Sequence, residues 1–161
     1  MATRPRHELI AELVGAWRAA RLQADVLDAS VFRCLGVNRT DGRCLDGLGA
    51  GPLAASALAE VIGVSPNALT TAVDRLSARG LVERVSDPDD RRRVVVRLTP
   101  LAERLSEQLY APLMARSLQN LQRYTKAELA LLTDFLERSS QVQSDHLAHV
   151  RSVELDWDEP S

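Results

Sequence analysis

Lysine is almost missing from this chain: of its 20 basic residues only Lys126 is a lysine, which reads as a G+C-rich coding sequence more than as a function. Long apolar runs are missing too. None approaches the roughly 18 consecutive residues needed to cross a bilayer, so no membrane helix is expected. Cysteine is scarce. Cys34 and Cys44 are too few for a disulfide framework, and the other ligands that a zinc site would need at such spacing are absent. The opening MATRPRHELI has neither the apolar stretch nor the cleavage site of a signal peptide, so a cytoplasmic protein is expected. An excess of positive charge is also lacking. The formal charge is −2, so any case for nucleic acid has to rest on local clustering. Catalytic patterns do not occur: there is no Ser-His-Asp set, nucleophile elbow, Walker or Rossmann motif, and His7, His146 and His149 sit at the two ends of the chain. No enzyme, cofactor or metal is expected.

What is present is an ordinary globular composition, 45% apolar and 26% charged over 161 residues, enough to bury a core in one folded unit. Leu9, Leu13, Ala16, Trp17, Ala20, Ala24 and Leu27 recur at helical spacing and predict an amphipathic helix over residues 6–29. A second helix is expected with Thr40 as its N-cap and Asp41 in its first turn, running through Cys44 and Leu45. Gly47, Gly49, Gly51 and Pro52 end it. This stretch lacks G-K-[ST] and opens no helix after a strand, so it reads as a turn, not a phosphate loop.

Two short helices follow. Residues 53–62 carry Leu58, Val61 and Ile62 and stop at Gly63, and Ser65-Pro66 supplies the cap and first position of a helix running to Arg79 and Gly80. Leu69, Val73 and Leu76 form the buried stripe of that helix, with Asn67, Thr70, Thr71, Asp74 and Arg75 outward. Helix, short glycine turn, helix is the signature of a helix-turn-helix. The period then changes to two. Residues 81–85 and 94–98 predict a β-hairpin around Asp87-Pro88-Asp89-Asp90. Thr99 caps a long helix bearing Leu101, Leu105, Leu109 and Leu113, with a kink expected at Pro112, and Thr125 and Glu128 form the capping box of a last helix. The predicted order is α-α-α-α-β-β-α-α, a mainly α winged helix-turn-helix.

The outward face of residues 66–79 is short and polar near a helix N-terminus, which suits a major groove about 12 Å wide. Asn67 can pair with adenine, Thr70 and Thr71 can meet a thymine methyl or a phosphate, and Arg75 can take guanine or phosphate. Alone, such a face reads more readily as a solvated helix surface with no partner. The hairpin decides the balance, because Arg91, Arg92 and Arg93 at a projecting tip suit a narrow, electronegative minor groove. Asp89 and Asp90 are expected to orient those arginines by pairing with them. Residues 52–99 are therefore the segment expected to touch double-stranded DNA.

The same residues resemble the MarR family of winged-helix regulators, named after multiple antibiotic resistance. The resemblance is carried by Gly51-Pro52-Leu53, Leu58-Ala59-Glu60, Gly63-Val64-Ser65, Val73-Asp74-Arg75-Leu76, Gly80-Leu81-Val82, and above all Asp87-Pro88-Asp89-Asp90-Arg91-Arg92 with the alternating Val94, Val96, Leu98 and Thr99. It implies a homodimer built from the N-terminal and C-terminal helices: residues 1–37 and 100–150 for dimerisation, 38–99 for DNA, and 151–161 as an acidic tail. It also implies that Asp90 and Arg92 are the wing pair, that Ser65 begins the front of the recognition helix, and that a small-molecule effector commonly releases the DNA. Thr71 stands where many members carry a basic residue, Ala54 replaces the usual Ser or Thr cap, and Gly42 lies inside a helix, which points to close packing or flexibility.

Other sites stay open. Trp17 could face the dimer interface or a ligand cleft. Cys34 or Cys44 could make the protein a redox-sensing regulator, though neither has a neighbouring His or Lys, and a buried small hydrophobe is the simpler role. Asp145, His146 and His149 could share a helix face as metal ligands but read as polar surface. A winged helix used as a protein-interaction module is the remaining alternative.

Overall fold

The first helix, α1, spans Arg6–Leu35 in the computed structural model, which describes residues 4–87 and 93–154. It outruns the expected end near residue 29 because its apolar face continues: Val31 and Phe32 are buried, and only then does Gly36, at φ 63°, take the left-handed cap while Val37 N–H closes on the Phe32 carbonyl. The second helix, α2, is Arg39–Gly47. Its cap is Asn38, not Thr40: Asn38 is extended, and its Oδ1 accepts from Asp41 N–H at 2.9 Å, so Thr40 falls inside the first turn.

A strand that the sequence pattern did not reveal comes next. β1 is only Leu53–Ala54, paired antiparallel with a later strand, and helix α3 therefore starts at Ala55 and runs to Ile62. Its N-cap, Ala54, has no side chain to bond the first turn. Gly63 at φ 67° ends α3, and Ser65 opens α4 (Pro66–Ala78), its Oγ accepting from Ala68 N–H at 3.3 Å. The hairpin strands β2 (Val82–Ser86) and β3 (Val94–Leu98) follow, and the sheet order is β1-β3-β2, all antiparallel. Asp87 N–H donates to the Arg93 carbonyl at 2.8 Å, continuing the hairpin up to its tip.

Thr99 closes the wing onto the next helix. Its Oγ1 donates to the Gly80 carbonyl and accepts from Ala102 N–H at the start of α5 (Pro100–Leu121). Pro112 lies inside α5 and has no N–H to offer the Gln108 carbonyl. The last helix, α6 (Lys126–Ser152), begins with the expected capping box of Thr125 and Glu128. Glu128 accepts from Thr125, which holds its carboxyl below the usual range.

The core lies where α2, α3, α4 and the sheet converge, on Cys44, Leu58, Ile62, Leu69, Val73, Leu76 and Val96. The chain divides into two compact units, Met1–Tyr110 and Ala111–Ser161, instead of the one folded unit expected. The first holds this core. In the second, α6 has no buried residue along its 27 positions, so it adds nothing to a single core.

Candidate nucleic-acid interface

The outward face of α4 is set by its buried stripe. Leu69, Ala72, Val73 and Leu76 point into the core, and this leaves Asn67, Thr70 and Thr71 exposed on the opposite side, close to the N-terminal turn that Ser65 caps. The two threonines are chemically narrowed. Thr70 Oγ1 donates to the Pro66 carbonyl and Thr71 Oγ1 to the Asn67 carbonyl, both at 3.0 Å, so each presents outward a lone-pair acceptor and a methyl group. Such a surface accepts from a base amino group or packs on a thymine methyl. Asn67 keeps both donor and acceptor character.

Arg75 also pairs within the fold. Its Nε donates to Asp41 Oδ2 at 3.1 Å and its Nη2 to Asp41 Oδ1 at 2.5 Å, a two-point pair that ties α4 to α2. The hydrogen bonds it donates to Asp41 raise the Arg75 pKa above its ordinary value. The Asp41 side chain is 5% exposed and that of Arg75 44%, so one partner is buried and the other half open to water. That asymmetry has a consequence. Arg75→Ala leaves a buried carboxylate without its cation, whereas Asp41→Ala leaves a guanidinium that water can reach, so the arginine variant is expected to melt at the lower temperature of the two. Removing both together should recover part of the loss. Equal melting temperatures for the two single variants would mean that the buried carboxylate is not the costlier group to leave alone, and additive losses in the double variant would mean that the pair does not hold α4 in place.

Other arginines of this region are also paired. Arg84 on β2 meets Asp74 on α4 at 2.8 Å, and Arg97 meets Glu83 across the β2–β3 register at 2.8 Å. Arg79, at the end of α4, donates to the Leu35 carbonyl at 2.8 Å and so helps to finish α1. These ties join residues far apart in sequence, and no local pattern announces them. At the wing, Arg93 is exposed at the first residue described after the tip, while Asp89, Asp90, Arg91 and Arg92 lie outside the described residues.

The remaining candidates separate. Cys44 is fully buried, and burial, with the Asp41 charge, pushes its thiol up to about 11, so it stays protonated at neutral pH; Cys34 is exposed. The Arg21 guanidinium sits 5.5 Å over the Trp17 ring, and Trp17 lines neither of two cavities in the first unit, an open cleft of about 660 Å³ and a smaller one of about 230 Å³. Gln141 donates to Asp145, and the His146 and His149 rings lie 5.4 Å apart. Among the described residues no three His, Cys, Asp or Glu side chains are grouped to hold a metal.

Residues 35–93 match the model of the MarR family. Over 153 residues, 94% of this chain and 99% of the relative, the sequence is 31% identical to an uncharacterized HTH-type transcriptional regulator, YcgE, of Bacillus subtilis. The chain belongs to the MarR family. Wild-type MarR from E. coli, solved in its apo form, is 25% identical, with 85% of this chain and 98% of that one covered at a TM-score of 0.52. A MarR family protein from Bacillus stearothermophilus, 20% identical, has the same fold over 88% of this chain and 99% of its own at a TM-score of 0.62. As a MarR family member the protein is a transcriptional regulator with a winged-helix DNA-binding fold. Among the described residues no helix is long and apolar enough to cross a membrane.

Proposed function

We propose that the protein is a cytoplasmic, ligand-responsive repressor that binds a pseudo-palindromic operator as a homodimer. The observation that carries the DNA part is the α4 face: Asn67, Thr70 and Thr71 exposed together beside a capped helix N-terminus, on a helix locked to the core behind it. In this reading α4 enters the major groove. Ser65 and the first-turn N–H groups meet phosphate, Asn67 and Thr71 read base edges, Thr70 supports them, and Arg75 fixes the angle of α4 through Asp41. Arg91, Arg92 and Arg93 enter the neighbouring minor groove, oriented by Asp90. Residues 38–99 are thus the DNA-binding part. Trp17 is assigned to packing between subunits, not to a ligand.

Dimerisation is supported by apolar side chains that a lone chain leaves in water. On α1 Leu13 is 50% and Leu22 66% exposed, and on α6 Leu131 is 68% and Val142 67% exposed. A helix of such length with no buried residue gains little from its own subunit, so residues 1–37 and 100–150 are proposed to be covered by the second copy. Two recognition helices then address half-sites about 10 bp apart.

The test is binding of the full chain to the intergenic DNA beside its own gene, measured by fluorescence anisotropy over a range of salt. Arg92→Ala is expected to weaken binding on every sequence and to lower the salt slope by about one unit. Asn67→Ala should cost about 1–3 kcal/mol on the preferred site and little on random DNA. An unchanged salt slope would remove Arg92 from the interface, and equal losses on all sequences would remove Asn67 from base reading. Affinity that does not depend on salt at all would favour a protein-interaction module instead.

A further inference from the structure

The smaller cavity of the first unit has a volume of about 230 Å³ and apolar walls that include Val31 and Leu35 of α1, Leu45 of α2 and Leu105 of α5. Its polar lining comes from Asp46, Ser106 and Tyr110. Among the described residues that line it there is no Arg, Lys or His, so its one charged group at neutral pH is a carboxylate. A second acid stands close by. Asp46 is exposed on one side; partial burial of its carboxyl, and then the charge of Asp28, push it up to about 6, with Arg43 opposing, and Asp46 and Asp28 together help burial to raise Tyr110. One end of the cavity is therefore electronegative and the rest is oily. The volume lies below the roughly 300–1,000 Å³ typical of drug-sized sites, which limits an occupant to one or two rings.

Resting on the ligand-responsive reading above, we propose that this cavity binds a small apolar amine, its ammonium donating to the Asp46 carboxylate and the Tyr110 hydroxyl oxygen, its rings lying among Val31, Leu35 and Leu105. Charge complementarity chooses the occupant. A carboxylic acid of the same shape would bring two carboxylates together with no cation in the lining to relieve them, whereas an amine supplies the missing charge. Leu81 and Leu98, at the base of the wing, also line the cavity, so an occupant touches the element that leads to DNA. Binding alters DNA affinity only by its differential affinity for the two states of the protein.

The test is calorimetric titration of the full-length protein, without DNA, using 2-naphthylmethylamine and the isosteric 2-naphthoate. At neutral pH the amine is expected to bind at least about tenfold tighter than the acid, and Asp46→Asn should erase that preference. Asp46 also borders the open cleft, whose lining carries Asp25, Asp28, Arg33, Arg39 and Arg43, and of these Asp28 and Arg43 act on its charge; Tyr110 stands on the cavity side. Asp46 is charged above about 6 and neutral below it, so amine affinity should rise with pH through that value in the wild type and not in Asp46→Asn. Equal or tighter binding of naphthoate by the wild type, no binding of the amine, or an amine preference that survives Asp46→Asn would each overturn the assignment. Amine binding that leaves DNA affinity unchanged would keep the site and overturn the ligand-responsive reading.

Discussion

Leu76→Ala is expected to destabilise the fold by about 2–5 kcal/mol, the cost of the lost transfer energy plus the void left behind. Leu76 is fully buried near the end of α4, in the same cluster as Leu58, Val73, Val82 and Val96, and its carbonyl accepts from Leu81 N–H where the chain turns into the wing. Truncation therefore loosens the helix and the hairpin together. For a chain of 161 residues each kcal/mol corresponds to about 2–4 °C in Tm, so a drop of roughly 5–20 °C should be visible by circular dichroism. Protein concentration has to be held constant, because association of subunits also stabilises. The comparison is Val61→Ala. Val61 belongs to the neighbouring helix but is 62% exposed, and its truncation should change stability by no more than about 0.5 kcal/mol. If the two variants melted together, the core would not lie behind α4.

That contrast also marks what could be read from the sequence. The stripe Leu69, Val73 and Leu76, the Ser65-Pro66 start, the Gly63 stop and the capping box at Thr125 are local patterns set by helix period and unpaired N–H groups, and each appears in the structure where its residues put it. Val61 shares the apolar spacing of Leu58 and Ile62, yet it faces water while those two are buried, since spacing alone does not say how wide the apolar face is. β1 was hidden because two residues cannot show an alternation, and the strand exists only through pairing with Val95 and Val96. Asn38 and Thr40 are both good caps, and only the extended backbone at Asn38 separates them. Of the interface, the exposed face of α4 was legible. The pairing of Arg75 was not, because its partner Asp41 lies 34 residues away.

The charge pattern follows the same logic. The arginines read as positive charge for DNA stand at the wing tip, whereas Arg84 and Arg97, on the strands below it, pair with Asp74 and Glu83 within the winged unit. Pairs of this exposed kind contribute little to stability. They fix geometry: one ties the hairpin to α4, and the other holds the register of the two wing strands. Charge for phosphate is then left to the proposed tip arginines and the N-terminus of α4, and this is why the effect on the salt slope is expected at Arg92 and not at Arg84.

Gly42→Ala is expected to destabilise, against the usual rule for helices. In an exposed helix interior the change gains about 1 kcal/mol, because alanine orders less backbone freedom than glycine. Here a Cβ would overlap Cε1, Cδ1 and Cζ of the Phe32 ring, and Phe32 is only 8% exposed, so either the ring or the α1–α2 contact must shift. Overpacking of that kind costs about 1–3 kcal/mol and outweighs the gain in propensity. Phe32→Leu in the same chain should recover much of the loss, and a double-mutant cycle followed by urea unfolding measures that coupling. A Gly42→Ala protein at least as stable as the wild type would show the contact to be soft. The ring also lines the two cavities described above, so a displaced Phe32 is expected to intrude on one of them. Gly42→Ala should therefore weaken the proposed amine binding along with the fold, whereas Leu76→Ala, compared at a temperature where both variants are folded, should leave the amine site in place. The close packing expected at Gly42 would then have a second result: a glycine in α2 keeps the Phe32 ring out of the space that a ligand needs.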